Sequence, residues 1–156
     1  MDDQVTRSVD LDASVEDVWQ AVADPAERAG WLDDEDARSR HVRVDESAPG
    51  ERLVWTWWRP GDEGDASTVS VVLAPLDGGR TRLVVTERLR ALASARVETR
   101  HVRTPVALSA ARARLRTLWA ARLVGLEVAC LGVRADVAVA GARVTGSGAG
   151  AHVTVG

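Results

Sequence analysis

The stretch TPVALSAARARLRTLWAARLVGLEVACL, residues 104–131, carries the strongest helical signal in the chain. Thr104 is a residue type that caps helices, and Pro105 suits the first helical position, where a missing N–H costs nothing. Apolar side chains then recur at three- and four-residue steps, which predicts one buried face. Gly132 suits the position just after a helix end, so we predict a long helix over 104–131. The predicted buried face consists of Leu108, Ala111, Leu115, Leu118, Trp119, Leu123, Leu126 and Cys130, whereas four arginines, Arg112, Arg114, Arg116 and Arg122, fall largely off it.

The segments before this helix predict a sheet for it to pack against. Residues 5–11 alternate as in a strand, and Ser14 and Asp24 precede two short helical patterns. The acidic run 33–36 is interpreted as a loop. From residue 40 the apolar period becomes two, and turn residues such as Pro49 and Gly50 separate four strands of an antiparallel meander. This order predicts an α+β domain.

Composition limits the remaining possibilities. The chain has 156 residues, a net charge of −3 and a single cysteine, Cys130, so no disulfide can form within it. The sequence lacks the ~18 uninterrupted apolar residues of a membrane span, and residues 1–30 lack a secretion signal. We expect a cytoplasmic protein without a membrane span. Residues 1–131 are predicted to form the domain and 132–156 a disordered tail rich in Gly, Ala and Val, although alternation at Val137 and Val139 could add a strand.

Several short motifs, in their order and spacing, resemble one known family. They are Val9-Asp10-Leu11, Val15-Glu16-Asp17-Val18-Trp19, Asp24-Pro25, Trp31, Pro49-Gly50-Glu51-Arg52-Leu53-Val54-Trp55-Thr56-Trp57, Ser67-Thr68-Val69 and Gly79-Arg80-Thr81-Arg82-Leu83. Together they resemble the START-like (SRPBCC, helix-grip) superfamily, and within it the bacterial branch named after the activator of the heat-shock protein 90 ATPase. The resemblance implies a curved antiparallel sheet of five or six strands wrapped around a long C-terminal helix, with two short helices between the first and second strands. The branch usually has one more strand soon after the second helix, so we expect this sheet to be one strand short.

The resemblance also implies a function. Members of the superfamily typically enclose an apolar cavity between sheet and helix, which predicts binding of a hydrophobic small molecule, lipid-like or polyketide-like, without catalysis. For any single tryptophan, however, the favoured explanation is that the ring fills the core. The residues predicted to line the cavity are Trp31, Leu53, Trp55, Trp57, Val71, Leu83, Val85, Glu87, His101, Leu115 and Trp119.

Two polar residues in that set allow a second interpretation. Glu87 shares the inward parity of Leu83 and Val85, and near Arg7 it would form a structural ion pair, or else orient a ligand or act as a base. The alternative function is therefore an enzyme of cyclase, dehydratase or hydrolase type, with Glu87 or His101 in proton transfer.

Other sites and partners find little support in the sequence. His41, His101 and His152 are scattered, with no ligand spacing, so we predict no metal and no cofactor. The net charge disfavours nucleic acid as a partner, and a homodimer is left open. The family name suggests chaperone binding, but the chain shows no separate domain for it.

Overall fold

The computed structural model describes residues 4–89 and 105–144. Five strands form one antiparallel sheet in the order β1-β5-β4-β3-β2. Three short helices connect β1 to β2, and a long helix, α4, follows β5 in the chain. This arrangement confirms the predicted helix-grip fold with five strands. The elements are β1 Gln4–Leu11, α1 Val15–Ala23, α2 Pro25–Trp31, α3 Glu35–Arg38, β2 His41–Ala48, β3 Arg52–Arg59, β4 Asp62–Leu76, β5 Arg80–Leu89 and α4 Pro105–Val144.

The strands are joined by tight turns that require glycine. Gly50 and Gly61 have φ angles of +75° and +78°, a region that residues with a Cβ rarely adopt. Arg59 pairs with Asp62, so the connection between β3 and β4 is the two-residue turn Pro60–Gly61. The sequence predicts a polar loop over residues 60–65, but residues 62–65 belong to β4.

Short side chains hold the first turns of the small helices. Ser14 accepts a hydrogen bond from the Asp17 amide at 3.2 Å, and Asp24 accepts from the amides of Ala26 and Glu27. Asp34 likewise accepts from the Ala37 amide at 3.0 Å and caps the one-turn helix α3. The interpretation of residues 33–36 as a loop is therefore wrong in part, because the acidic run supplies a helix cap and a first turn.

The helix α4 is longer than predicted. It spans 40 residues and runs through Gly132 to Val144, so the prediction that it ends at residue 131 is wrong. The alternative strand through residues 137–139 is wrong as well, since this segment is helical. Residues 145–156 lie outside the described residues, and the division of the chain at 131 and 132 stays a prediction.

The core lies between α4 and the face of the sheet that α4 contacts. Trp55, Trp57, Val69 and Trp119 are each at most 1% exposed and belong to one cluster with Leu126. In the described part of the chain, no helix has the length and apolar character needed to cross a membrane. The cytoplasmic location stays a prediction.

Candidate functional site

A fully buried carboxylate lies at the centre of the core. Glu87 of β5 is 1% exposed and points toward α4. Its Oε1 accepts hydrogen bonds from Trp57 Nε1 at 2.9 Å and Ser67 Oγ at 2.5 Å, and its Oε2 accepts from Trp119 Nε1 at 2.7 Å. Strands β3, β4 and β5 and helix α4 thus all meet at one side chain. Three donors compensate the cost of burying this negative charge.

Two indole rings, Trp57 and Trp119, donate to the carboxylate, and a third, Trp55, packs against Trp57. Trp57 and Trp119 stack with centroids 6.1 Å apart and an interplanar angle of 29°. Trp55 meets Trp57 edge to face, also at 6.1 Å. Trp55 and Trp57 lie two residues apart on β3, so their side chains share the face that α4 covers. Stacking of Trp57 on Trp119 fixes the two N–H groups that donate to Glu87.

A buried arginine on α4 completes the cluster. The Arg122 side chain is only 2% exposed, and its guanidinium carbon lies 5.1 Å from the Trp57 ring centroid and 5.0 Å from that of Trp119. Two of its nitrogens donate to Asp34 at 2.7 and 2.9 Å, and one also donates to Asp36 at 3.0 Å. Burial lowers the pKa of Arg122, but the hydrogen bond and charge of Asp34, with smaller contributions from Asp36 and Glu87, more than offset this, so the pKa is raised. The third nitrogen, Nη1, has no hydrogen-bond partner among the described residues.

The acidic segment around α3 joins Arg122 to the β2 side of the sheet. Asp36 accepts from Arg40 at 3.2 Å and from Arg59 at 2.5 Å, in addition to Arg122. The Arg122 hydrogen bond lowers the pKa of Asp34. Burial raises the pKa of Asp36, but Arg40, Arg122 and Arg59 together lower it below its usual value. Asp34 and Asp36 thus bind three guanidinium groups, and the charge of Glu87 acts on Arg122 as well.

A second buried arginine lies against Trp55. Arg28 of α2 is 8% exposed, donates to the Val22 carbonyl at 3.0 Å and lies 5.5 Å from the Trp55 ring centroid. Burial lowers the pKa of this arginine. Trp31 donates its N–H to the Ala21 carbonyl at 2.9 Å. Trp55 Nε1, in contrast, is buried and has no acceptor in the part of the chain that the structure describes.

Comparison with known proteins identifies the family. A sequence model described as "Activator of Hsp90 ATPase homolog 1-like protein" matches residues 12–106. The chain belongs to this family. The START-like resemblance seen in the sequence is thereby confirmed. No curated protein matches the chain at a significant level.

Solved structures share the fold of this Hsp90-activator-like chain. An NMR structure of a protein from Arthrobacter aurescens superposes with a TM-score of 0.61 at 14% identity, over 83% of this chain and 87% of that one. The Aha1 dimer from Colwellia psychrerythraea gives 0.56 at 18% identity, over 81% and 95%. DynU16, a putative protein of the dynemicin biosynthetic locus, gives 0.58 at 23% identity, over 81% of this chain but 46% of its own. At these identities the likeness establishes the fold alone.

The structure brings most of the predicted cavity residues of this family member together. Leu115 packs, partly buried, against the core cluster, and His101 lies outside the described residues. Whether the set lines a ligand cavity stays a prediction. The residues that are at most 6% exposed are Trp31, Leu53, Trp55, Trp57, Val71, Leu83, Val85, Glu87 and Trp119.

The partner predicted for Glu87 is wrong. Val5, not Arg7, lies opposite Glu87 in the pairing of β1 with β5, and Arg7 is exposed. The ion pair with Arg7 is replaced by two indole N–H groups and the Ser67 hydroxyl. Parity correctly predicted that Glu87 points inward, but the choice of partner depends on how α4 crosses the sheet.

Sequence reasoning missed Arg122 and Asp34. Arg122 follows Trp119 by three residues and therefore lies on nearly the same helix face, which is the one signal that could have identified it. Asp34 lies 88 residues earlier, and no local pattern connects the two.

The described residues offer two further observations on possible sites. They contain no group of three or more His, Cys, Asp or Glu side chains placed to hold a metal ion. An open depression of about 420 Å³ lies on β1 and β5 and is lined by Thr6, Ser8, Val9, Asp10, Arg82 and Val84. It shares no residue with the predicted cavity, and Arg82 and Asp10 pair across it at 2.7 Å.

Proposed function

We propose that the protein binds a hydrophobic small molecule, lipid-like or polyketide-like, between the sheet and α4, without catalysing a reaction on it. The observation that carries this proposal is the pair of buried donors, Trp55 Nε1 and Arg122 Nη1, that find no acceptor among residues 4–89 and 105–144 as the structure describes them. An unpaired buried donor costs about 1–3 kcal/mol. A ligand oxygen that accepts from Trp55 Nε1 recovers that cost.

The same observation narrows the ligand class. Both spare groups are donors, and no buried side-chain acceptor among the described residues is left without a partner. We therefore propose a largely apolar ligand that carries an oxygen acceptor, such as a carbonyl or ether oxygen.

The hydrogen bonding of Glu87 supports binding without catalysis. Both carboxylate oxygens already accept from protein donors, whereas a general base needs a lone pair directed at its substrate. Burial raises the pKa of the Cys130 thiol to about 11, which keeps this group protonated and a poor nucleophile. The enzyme alternative with His101 depends on a residue outside the described ranges.

Fluorescence titration with a matched pair of ligands tests the proposal. Naphthalene and 1-acetonaphthone share an aromatic body, but only the ketone has a carbonyl acceptor. We expect the ketone to bind about 5- to 10-fold more tightly, the value of one hydrogen bond. Trp55→Phe removes the spare N–H while keeping an aromatic ring, and should abolish this preference while leaving naphthalene binding in place. Trp58→Phe, a half-buried position elsewhere on β3, is the control.

Two results would count against the proposal. Failure of both compounds to bind the wild-type chain, tested also with a long-chain ketone, would mean that the core is simply filled by its own side chains. A ligand recovered by solvent extraction with an altered mass, dependent on Glu87, would favour the enzyme. Recovery of the unchanged ligand is the expected outcome.

We also propose that the chain forms a homodimer. The Colwellia psychrerythraea relative is described as a dimer in solution, which supports a similar assembly here. Sedimentation equilibrium of the full chain measures the mass directly. A monomer at about 100 µM, a concentration at which specific dimers are normally populated, would contradict this part of the proposal.

A further inference from the structure

An apolar stripe lies exposed along α4, opposite the buried face of this helix. Val124, Val128 and Leu131 are 59%, 63% and 49% exposed, and their spacing of four and three residues places them in one row. Ala121, also exposed, extends the row toward the helix start. The buried side chains of α4, such as Leu126 and Cys130, belong to the core instead. Contiguous exposed apolar rows of this kind typically mark an interaction surface.

The C-terminal part of α4 has a sequence that favours a helix only weakly. The helix nevertheless runs on through residues 131–144, about 20 Å beyond Cys130. That segment, LGVRADVAVAGARV, contains two glycines and four valines, residues with low helix propensity. Packing against another surface would therefore stabilise this part of the helix.

The sequence of this segment continues the stripe in heptads. The exposed positions 121, 124, 128 and 131 follow alternating steps of three and four, and the next steps reach positions 135, 138 and 142. All three are alanine, which lets a second helix approach closely. The spacing is therefore typical of a seam between two helices.

We propose that this stripe is the dimer interface, and that α4 of a second copy packs across it in the antiparallel direction. This inference rests on the proposed homodimer and names its surface. Charge complementarity selects both partner and direction. On one side of the seam the flanking heptad positions are 127 and 134, which are Glu and Arg. In an antiparallel pair related by a two-fold axis, position 127 of each copy lies opposite position 134 of the other, so the interface contains two such oppositely charged pairs. Parallel pairing would instead face them with positions 125, 132 and 139, which are Gly, Gly and Val.

Replacing one exposed valine tests the surface. Val128→Glu should raise the dissociation constant of the full-length dimer by at least about 100-fold, because the two-fold axis puts two such changes in one interface. The matched control is Val72→Glu, since Val72 is another exposed valine, 42% accessible, on the outer face of β4. Unchanged far-UV circular dichroism would show that both variants fold. Sedimentation velocity over a concentration series measures the dissociation constants.

Disulfide trapping tests the direction. In a Cys130→Ser background, the antiparallel arrangement brings position 128 of one copy opposite position 131 of the other. A mixture of Val128→Cys and Leu131→Cys chains should then form the mixed disulfide, whereas a parallel pair would cross-link each chain with itself. Ser8→Cys, exposed on β1, reports random oxidation.

Each outcome supports or overturns a defined step. If the wild type is a monomer, both the homodimer and this interface are wrong. The stripe would then be a surface that residues 145–156 or another protein covers. A dimer that survives Val128→Glu overturns the surface alone. Loss of the dimer in Val128→Glu, with self-linked instead of mixed disulfides, overturns the antiparallel direction. Ligand titration is independent of all three results.

Discussion

Replacement of Glu87 by glutamine should destabilise the fold strongly although the two side chains have the same shape. The carboxylate accepts with both oxygens, from Trp57 and Ser67 on one and from Trp119 on the other. An amide has only one accepting oxygen, so in either orientation its NH₂ group faces a hydrogen-bond donor. At least one buried indole or hydroxyl hydrogen is then left without an acceptor.

The magnitude follows from these contacts. An unsatisfied buried donor costs about 1–3 kcal/mol, and hydrogen bonds to a charged group contribute about 1.5–3 kcal/mol each. Arg122 loses the nearby negative charge as well. We expect Glu87→Gln to lower the free energy of unfolding by about 3 kcal/mol. For a chain of this length that corresponds to a melting temperature lower by about 6 to 12 °C.

Urea unfolding followed by far-UV circular dichroism measures this loss. The midpoint should fall while the slope of free energy against urea is unchanged, since the same surface is exposed on unfolding. Glu51→Gln, at an exposed position, should stay within about 0.5 kcal/mol of the wild type. A loss of under about 1 kcal/mol in Glu87→Gln would refute the conclusion that the Trp119 indole and the Ser67 hydroxyl depend on this carboxylate; Trp57 Nε1 also donates to Ser67 Oγ, at 2.7 Å.

Two further predictions concern Arg122 and Cys130. Arg122→Met should cost about 3 kcal/mol at pH 7, because the partly buried Asp34 loses its cation and Asp36 keeps only Arg40 and Arg59. The folded-state pKa of Asp34 lies below 3.8, mainly through the Arg122 hydrogen bond, so the unfolded state takes up protons first as the pH falls. The free energy of unfolding of the wild type should therefore fall below about pH 4, and more steeply with pH than that of Arg122→Met. Urea unfolding at pH 7, 4 and 3 measures both; the same dependence on pH in the two proteins would contradict this prediction. Burial raises the pKa of the Cys130 thiol to about 11, so iodoacetamide at pH 8 should modify it far more slowly in the folded than in the urea-unfolded chain, as followed by mass spectrometry.

Much of the fold could be predicted from local patterns. Apolar residues at every second position predicted the strands of the meander, and apolar residues at steps of three and four predicted α4. The cap residues Ser14 and Asp24 correctly predicted where the first two helices begin. The end of α4 could not be predicted in this way. Gly132 is a typical residue after a helix, but intrinsic propensity is weak and packing overrides it. The same holds for the acidic run, where Asp34 caps a helical turn that has contacts with α4.

The candidate site divides in the same way between sequence and tertiary structure. The sequence by itself determined which side chains point inward, because alternation along β3 and β5 places Trp55, Trp57 and Glu87 on one face. Only the tertiary structure decided what these side chains meet. Arg122 and Asp34 are 88 residues apart in the chain, and their contact depends on where α4 crosses the sheet. Hydrogen bonds between distant segments are set by packing geometry in three dimensions, and no local periodicity records them.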